Sequence, residues 1–255
     1  MNSMIRFEKV SKRLGGKKVL DRMDVDIQRG ETFVIVGTSG AGKSVSLKHM
    51  IRTLSPDEGR VVIGDRDVVS EARGAALSRI RTRFGVLFQS SALLQWMNVR
   101  MNVGLPLREK TNMSLKEVDK RVMEKLDLVN MTEALEKFPA DLSGGMRKRV
   151  GLARALIAEP EIILYDEPTS GLDPVISRQI DELINNLRHK LKVTSVVVTH
   201  DMQSALAVGS RIAMLYEGRL VEVATPDEFI RSENEEVRKF LESQYITKSA
   251  PWERR

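Results

Sequence analysis

The sequence contains no cysteine. That excludes a disulfide scaffold, a Cys-ligated zinc site and a thiol nucleophile. It also has no apolar run approaching the roughly 18–20 residues needed to span a bilayer. The longest candidates, Thr32–Val36 and Ser195–Val198, are strand-sized. The opening residues MNSMIRFEKVSKR hold no apolar h-region, so no secretory signal is expected. Neither Gly (17) nor Pro (8) is inflated in 255 residues, which excludes collagen-like and low-complexity chains. These absences predict a soluble, intracellular protein that reaches a membrane only through a partner.

What is present is enough for a packed core. Hydrophobic residues make up 42% of the chain, consistent with one large domain or a domain carrying a subdomain. The formal net charge of +6 suits an anionic partner such as a nucleotide, a nucleic acid or lipid headgroups, and also an ordinary mixed-charge surface.

Short β-prone runs (Met4–Phe7, Val25–Ile27) flank a turn at Gly15-Gly16, and Thr32–Val36 has the β-branched, apolar character of a strand buried on both faces. Helical spacing follows in Ser44–Ile51. After a turn at Pro56–Gly59 come a strand at Val61–Ile63, a helix within 71–83 and a strand at Phe84–Phe88. Residues 90–142 lack strong strands and read as a mostly helical subdomain inserted into an α/β core formed by 1–89 and 143–243. Within that core, helices are predicted at Ser143–Ile157, Val175–Lys190 and Met202–Val208. Strands are predicted at Ile162–Tyr165 and Thr194–Val198, with a hairpin around Glu217-Gly218. Residues 244–255 lack periodicity and are expected to form a tail.

Three patterns carry chemistry. Gly37-Thr38-Ser39-Gly40-Ala41-Gly42-Lys43-Ser44 fits G-x-x-x-x-G-K-[ST], the Walker A phosphate loop, and runs on to Val45 at the start of a helix. Its glycines let successive N–H groups point at phosphate oxygens, and the following helix adds its positive end. Lys43 is expected to pair with β- and γ-phosphate oxygens, and the Ser44 hydroxyl to ligate Mg²⁺. Ile162–Tyr165 leads into Asp166-Glu167, an apolar strand ending in two acids, the Walker B pattern. Asp166 is placed to support Mg²⁺, and Glu167, one residue on, to polarise the attacking water as general base. In the third, Leu142-Ser143-Gly144-Gly145-Met146, Ser143 is a good N-cap and two glycines permit close backbone approach.

In this order the motifs resemble those of the ATP-binding-cassette (ABC) ATPases, from about Met4 to Leu241. The implied fold is α/β: a P-loop ABC ATPase core with a mostly parallel sheet, an N-terminal antiparallel β element and the inserted helical subdomain. The resemblance implies that Ser143, Gly144 and Gly145 face the γ-phosphate bound by a second copy of the chain. It implies further that Gln89 is the Q-loop residue that contacts Mg²⁺, that Asp173 of Ser170-Gly171-Leu172-Asp173 is the D-loop residue, and that His200 is the switch histidine. ATP and Mg²⁺ are thus the implied ligands. Two positions depart from the family: Leu14 stands where an aromatic usually stacks on adenine, and Met146 where the signature has Gln.

The segment Phe88–Leu94, Met97-Asn98-Val99, Asn102-Val103 and Pro106–Thr111 looks like that of the Mla/MCE-type phospholipid-transport ATPases, as do the LSGGM variant and Val237–Leu241. That likeness implies a peripheral protein on the cytoplasmic face of a bacterial inner membrane. Its implied partners are a second copy, integral membrane permease subunits and a periplasmic MCE-domain protein, with no nucleic acid. Amino-acid importers share much of this segment, and a soluble non-transport ABC ATPase is the other class considered. In Arg147-Lys148-Arg149 the charges are expected to form the solvated face of a helix whose buried side holds Val150, Ala153 and Ile157.

Overall fold

The structure, a computed structural model, describes residues 3–244; apart from Gln244, which caps the last helix, the expected tail lies outside the described residues. In chain order the strands are β1 (Ser3–Leu14), β2 (Lys17–Gln28), β3 (Thr32–Val36), β4 (Glu58–Ile63), β5 (Asp67–Val68), β6 (Phe84–Leu87), β7 (Ile162–Asp166), β8 (Thr194–Val198), β9 (Arg211–Tyr216) and β10 (Arg219–Ala224). The helices are α1 (Lys43–Met50), α2 (Gly74–Thr82), α3 (Val99–Lys110), α4 (Leu115–Leu128), α5 (Gly144–Leu156), α6 (Pro174–Leu191), α7 (Met202–Val208), α8 (Pro226–Ile230) and α9 (Glu235–Ser243).

The chain divides into two compact units, Met1–Ile80 with Val196–Arg255, and Arg81–Ser195. In the first, β1 pairs antiparallel with β2 and with β4, and β4 with β5. The short runs expected at the N-terminus belong to one hairpin of two 12-residue strands turning at Gly15-Gly16. Strand β3 is buried at every residue, as its composition predicts, and pairs in parallel with β9, which continues antiparallel into β10. Arg211 at the start of β9 lies over the Phe33 ring and forms an ion pair with Glu31, tying the entry of β3 to the sheet.

Two helices of this unit were not anticipated from the sequence. Helix α8 starts with a reciprocal capping box between Thr225 and Glu228, and α9 starts where Asn234 accepts from the N–H groups of Glu236 and Val237. Both are only five to nine residues long, so apolar periodicity has little room to show.

In the second unit β6 pairs in parallel with β7. Segment 90–142, expected to be helical, holds α3, α4 and two short 3₁₀ turns. Its α4 carries a full capping box at Ser114 and Glu117 and buries Val118, Val122 and Leu126 on one face. Asn102 on α3 is fully buried. It accepts from the Leu94 N–H and donates to the carbonyls of Leu94, Met97 and Asn98, which satisfies its amide and shapes the loop before α3. With parallel pairing in both units and an antiparallel N-terminal sheet, the α/β class expected from the sequence is the one observed.

Candidate functional site

In the first unit the loop Gly37–Gly42 connects β3 to α1. Two of its glycines are required by backbone geometry. Gly37 has φ +149° and Gly42 φ +108°, and a Cβ at either would lie 2.3 Å from the Leu215 carbonyl oxygen or 2.5 Å from that of Val19. The tip, Thr38–Gly40, is exposed. Lys43 is buried along its stem, and its Nζ donates to the carbonyls of Gly37 (2.9 Å) and Thr38 (3.1 Å), so the loop folds over its own ammonium. Ser44 and Val45 follow, half-buried, in the first turn of α1. No side chain caps this helix and no acidic residue stands in its first turn. A helix start without a side-chain cap, following a loop folded around a lysine, fits a polyphosphate.

The loop after β8 lies beside this one. The Thr199 N–H donates to the Ile35 carbonyl of β3 (3.2 Å), and Thr199 Oγ1 accepts from the Asp201 N–H. Exposed His200 therefore projects between two anchored residues, with Asp201 capping α7.

In the second unit β7 delivers Asp166, half-buried, and Glu167, buried. Glu167 has φ +48°, a left-handed backbone that turns the chain sharply off the strand and sets its side chain apart from that of Asp166. The turn continues through Ser170, whose N–H bonds the Glu167 carbonyl, to Asp173. Asp173 Oδ1 accepts from the N–H groups of Val175 and Ile176, capping α6 with Pro174 in its first turn. Gln89, just past β6, is exposed, and its Nε2 lies 3.5 Å from Ser170 Oγ. Ser143 caps α5 as anticipated, accepting from the Met146 N–H at 3.3 Å. The glycines after it make room: a Cβ at Gly145 would sit 2.5 Å from Ile176 Cγ2, and one at Gly144 3.0 Å from Leu172 Cδ2.

The expectation of a solvated Arg147-Lys148-Arg149 face fails at Lys148, which is only 4% exposed. Its Nζ donates to the carbonyl of Gln89 (2.6 Å) and to that of Glu167 (2.9 Å). Burial pulls the ammonium down to about 8, against the attraction of Asp166 and Glu167. Arg147 and Arg149 are half-buried and bond the carbonyls of Leu142 and Val129. Reading this helix by its apolar stripe alone missed a second inward stripe of buried Lys148, buried Gly151 and half-buried Arg154. The signal was a mid-helix glycine flanked one turn either side by cations. Val150, Ala153 and Ile157 are buried as expected.

Comparison with known proteins identifies the family. Residues 20–170 match the ABC transporter family. The chain is 41% identical over 246 residues, 96% of its length and 71% of the relative's, to the "probable ribonucleotide transport ATP-binding protein mkl" of Mycobacterium leprae. It is 35% identical, over 95% of its length and 98% of the relative's, to the "probable amino-acid ABC transporter ATP-binding protein y4tH" of Sinorhizobium fredii. Among solved structures, a dimeric post-hydrolysis state of the ATP-binding cassette MJ0796 bound to ADP and Pi superposes with a TM-score of 0.80 at 34% identity, covering 88% of this chain and 99% of that one.

Proposed function

The chain belongs to the ABC transporter family as an ATP-binding subunit that hydrolyses ATP, and from that premise we propose that it energises phospholipid movement between the inner and outer membranes of a bacterium. The phosphate loop Gly37–Ser44, closed over Lys43 and opening an uncapped helix, carries the nucleotide part of this reading. Lys43 balances charge on the β- and γ-phosphates while the α1 N–H groups bind their oxygens. Glu167 takes a proton from the water that attacks the γ-phosphorus. The bond from that phosphorus to the β–γ bridging oxygen breaks, and ADP leaves with phosphate. His200 contacts the γ-phosphate.

Ser44, Asp166 and Gln89 are the residues that would hold Mg²⁺. Bound there, it would neutralise phosphate charge, an ion that needs few protein ligands because it keeps several waters. A second copy of the chain completes each site with Ser143, Gly144 and Gly145, and Asp173 lies on the facing surface. The dimeric ADP–Pi state of the MJ0796 cassette supports this assembly.

Among the described residues no helix is long and apolar enough to cross a membrane, so permease subunits would anchor the dimer to the cytoplasmic face of the inner membrane. The lipid assignment, with a periplasmic MCE-domain partner, rests on the likeness of segment 88–111 and of the LSGGM signature to the phospholipid-transport ATPases. The names of the relatives favour a second reading, import of a ribonucleotide or amino acid. Purifying the tagged chain from membranes separates the two. Co-isolation of an MCE-domain protein and glycerophospholipid is the expected result. Co-isolation of a solute-binding protein with no bound lipid would overturn the lipid assignment and leave the ATPase assignment standing.

A further inference from the structure

One face of α5 is built to hold backbone rather than side chains. Lys148 donates to the carbonyls of Gln89 and Glu167. Arg154, two turns on, donates to the carbonyls of Ser91 and Ala92, both at 2.7 Å. Gly151 lies between them, and a Cβ there would stand 2.9 Å from Leu87 Cδ1 and 3.2 Å from Ser91 Cβ. The loop after β6 is thus pressed onto the helix and gripped at the carbonyls of Gln89, Ser91 and Ala92. Ser91 and Ala92 hold left-handed backbone (φ +61° and +47°), as does Glu167, and in each case a cation of α5 binds the carbonyl of that strained residue. Lys148 also reaches the carbonyl of Glu167, just past β7.

A buried ammonium is costly unless its donors are satisfied. A methionine of similar length would fill the space without that cost. The charge therefore needs a reason beyond packing, and the two carbonyls supply it: they belong to the residue before the Ser90 turn and to the carboxylate proposed as general base.

We propose that Lys148 is a positioning residue for hydrolysis, its ammonium locking the helix that opens with Ser143–Gly145 to the Gln89 loop and to the backbone of Glu167, so that the setting of the Glu167 carboxylate follows the position of α5. This rests on the reading of Glu167 as the base. Lys148 touches neither substrate nor water; it acts through the peptide planes at 89 and 167.

The test is steady-state ATP hydrolysis by the purified full-length chain with MgATP, alongside thermal melting. In Lys148→Met, kcat falls at least tenfold while KM stays within twofold, because the phosphate loop is untouched, and the melting temperature does not drop. Lys148→Arg, which keeps the charge, recovers at least threefold of the lost kcat. A Lys148→Met protein with kcat within twofold of the parent overturns the proposal. So does a loss of kcat that Lys148→Arg does not recover at all, or one that only tracks a lower melting temperature. Should Lys148→Met not fold, Lys148→Gln, which still donates to one carbonyl, takes its place under the same criteria. Glu167→Gln is measured in parallel. If it still turns over, the base assignment falls; if it is inactive beside a fully active Lys148→Met, only the Lys148 proposal falls.

Discussion

Helices α1 and α5 both begin beside glycines, and the two starts are held in opposite ways. At α1 the glycines serve conformation. Gly37 and Gly42 sit at positive φ with carbonyl oxygens of other strands pressed against them, and no side chain occupies the helix end. At α5 the glycines serve space. Gly144 and Gly145 lie against Leu172 and Ile176, and Ser143 already takes one of the free N–H groups. The first arrangement leaves its helix start without a side-chain cap. The second trims a surface so that a capped helix end stays flat and close to whatever approaches it. The same contrast extends to charge, since Lys43 is wrapped by its own loop while Lys148 reaches across to two other segments.

Breaking each side at its charged residue gives the largest effect. Lys43→Ala removes the cation that the phosphate loop is folded around, and both ATP affinity and turnover collapse. Glu167→Gln keeps the shape of the β7 turn and removes the proposed proton acceptor. Turnover falls by about 10²–10⁴ with nucleotide binding retained. Phosphate release and equilibrium nucleotide binding, measured on both variants, check the distinction. Equal loss of binding in the two would erase the separation of roles.

A smaller effect sharpens the contrast between the glycines. Gly42→Ala meets a forbidden backbone angle and the Val19 carbonyl together, at a cost of about 2–6 kcal/mol from the strain and overpacking ranges combined. Gly145→Ala meets only the Ile176 side chain and costs about 1–3 kcal/mol. Truncating that side chain relieves the second and cannot relieve the first. Denaturant unfolding of Gly145→Ala, Ile176→Ala and the pair therefore shows coupling of more than about 0.5 kcal/mol. Strict additivity would mean that Gly145 is there for some purpose other than space.

This contrast also explains what the sequence disclosed. Motifs carried by contiguous residues were legible as local structure: Gly37–Ser44, Asp166-Glu167 and Ser143–Gly145 each fall at the end of a strand or the start of a helix, because spacing along the chain sets the local geometry. Strands β3 and β8 were read to the residue, since a strand buried on both faces has only one composition. Asn102 was not legible, and Lys148 only through the cation–glycine–cation spacing of its helix. Each is defined by carbonyls that approach from elsewhere, Gln89 and Glu167 in one case and the 94–98 loop in the other. A polar side chain bonded to backbone leaves no complementary residue type in the sequence to betray it. The N-terminal hairpin was underestimated for a related reason. Register shifts between Phe7 and Val10 and between Val10 and Lys12 break the alternation that marks a strand.

The two helices differ once more in the titratable group each buries, and here the effect is smallest. Lys148 on α5 keeps a cation in the interior, whereas His49 on α1 is buried as a base. His49 is 1% exposed, and its Nδ1 lies 2.7 Å from the Val45 carbonyl, a contact that requires a proton on that nitrogen. Burial holds the imidazole below its ordinary range. The neighbouring Lys12 on β1 acts in the same sense, while bonds to the Val45 and Ser55 backbone and the charge of Asp57 oppose it. The unfolded chain therefore binds a proton near pH 6.5 that the folded chain still refuses. Stability from this group is present above that pH. It is lost as pH falls from about 6.5 toward the lower folded value, with a slope of at most about 1.4 kcal/mol per pH unit. His49→Gln removes this proton. Urea unfolding at pH 7.5, 6.5 and 5.5 then shows a flatter acid limb for the variant than for the parent, even if the variant is less stable overall. Parallel limbs would mean that His49 is protonated alike in both states, and that α1, like α5, tolerates a charge in its packed face.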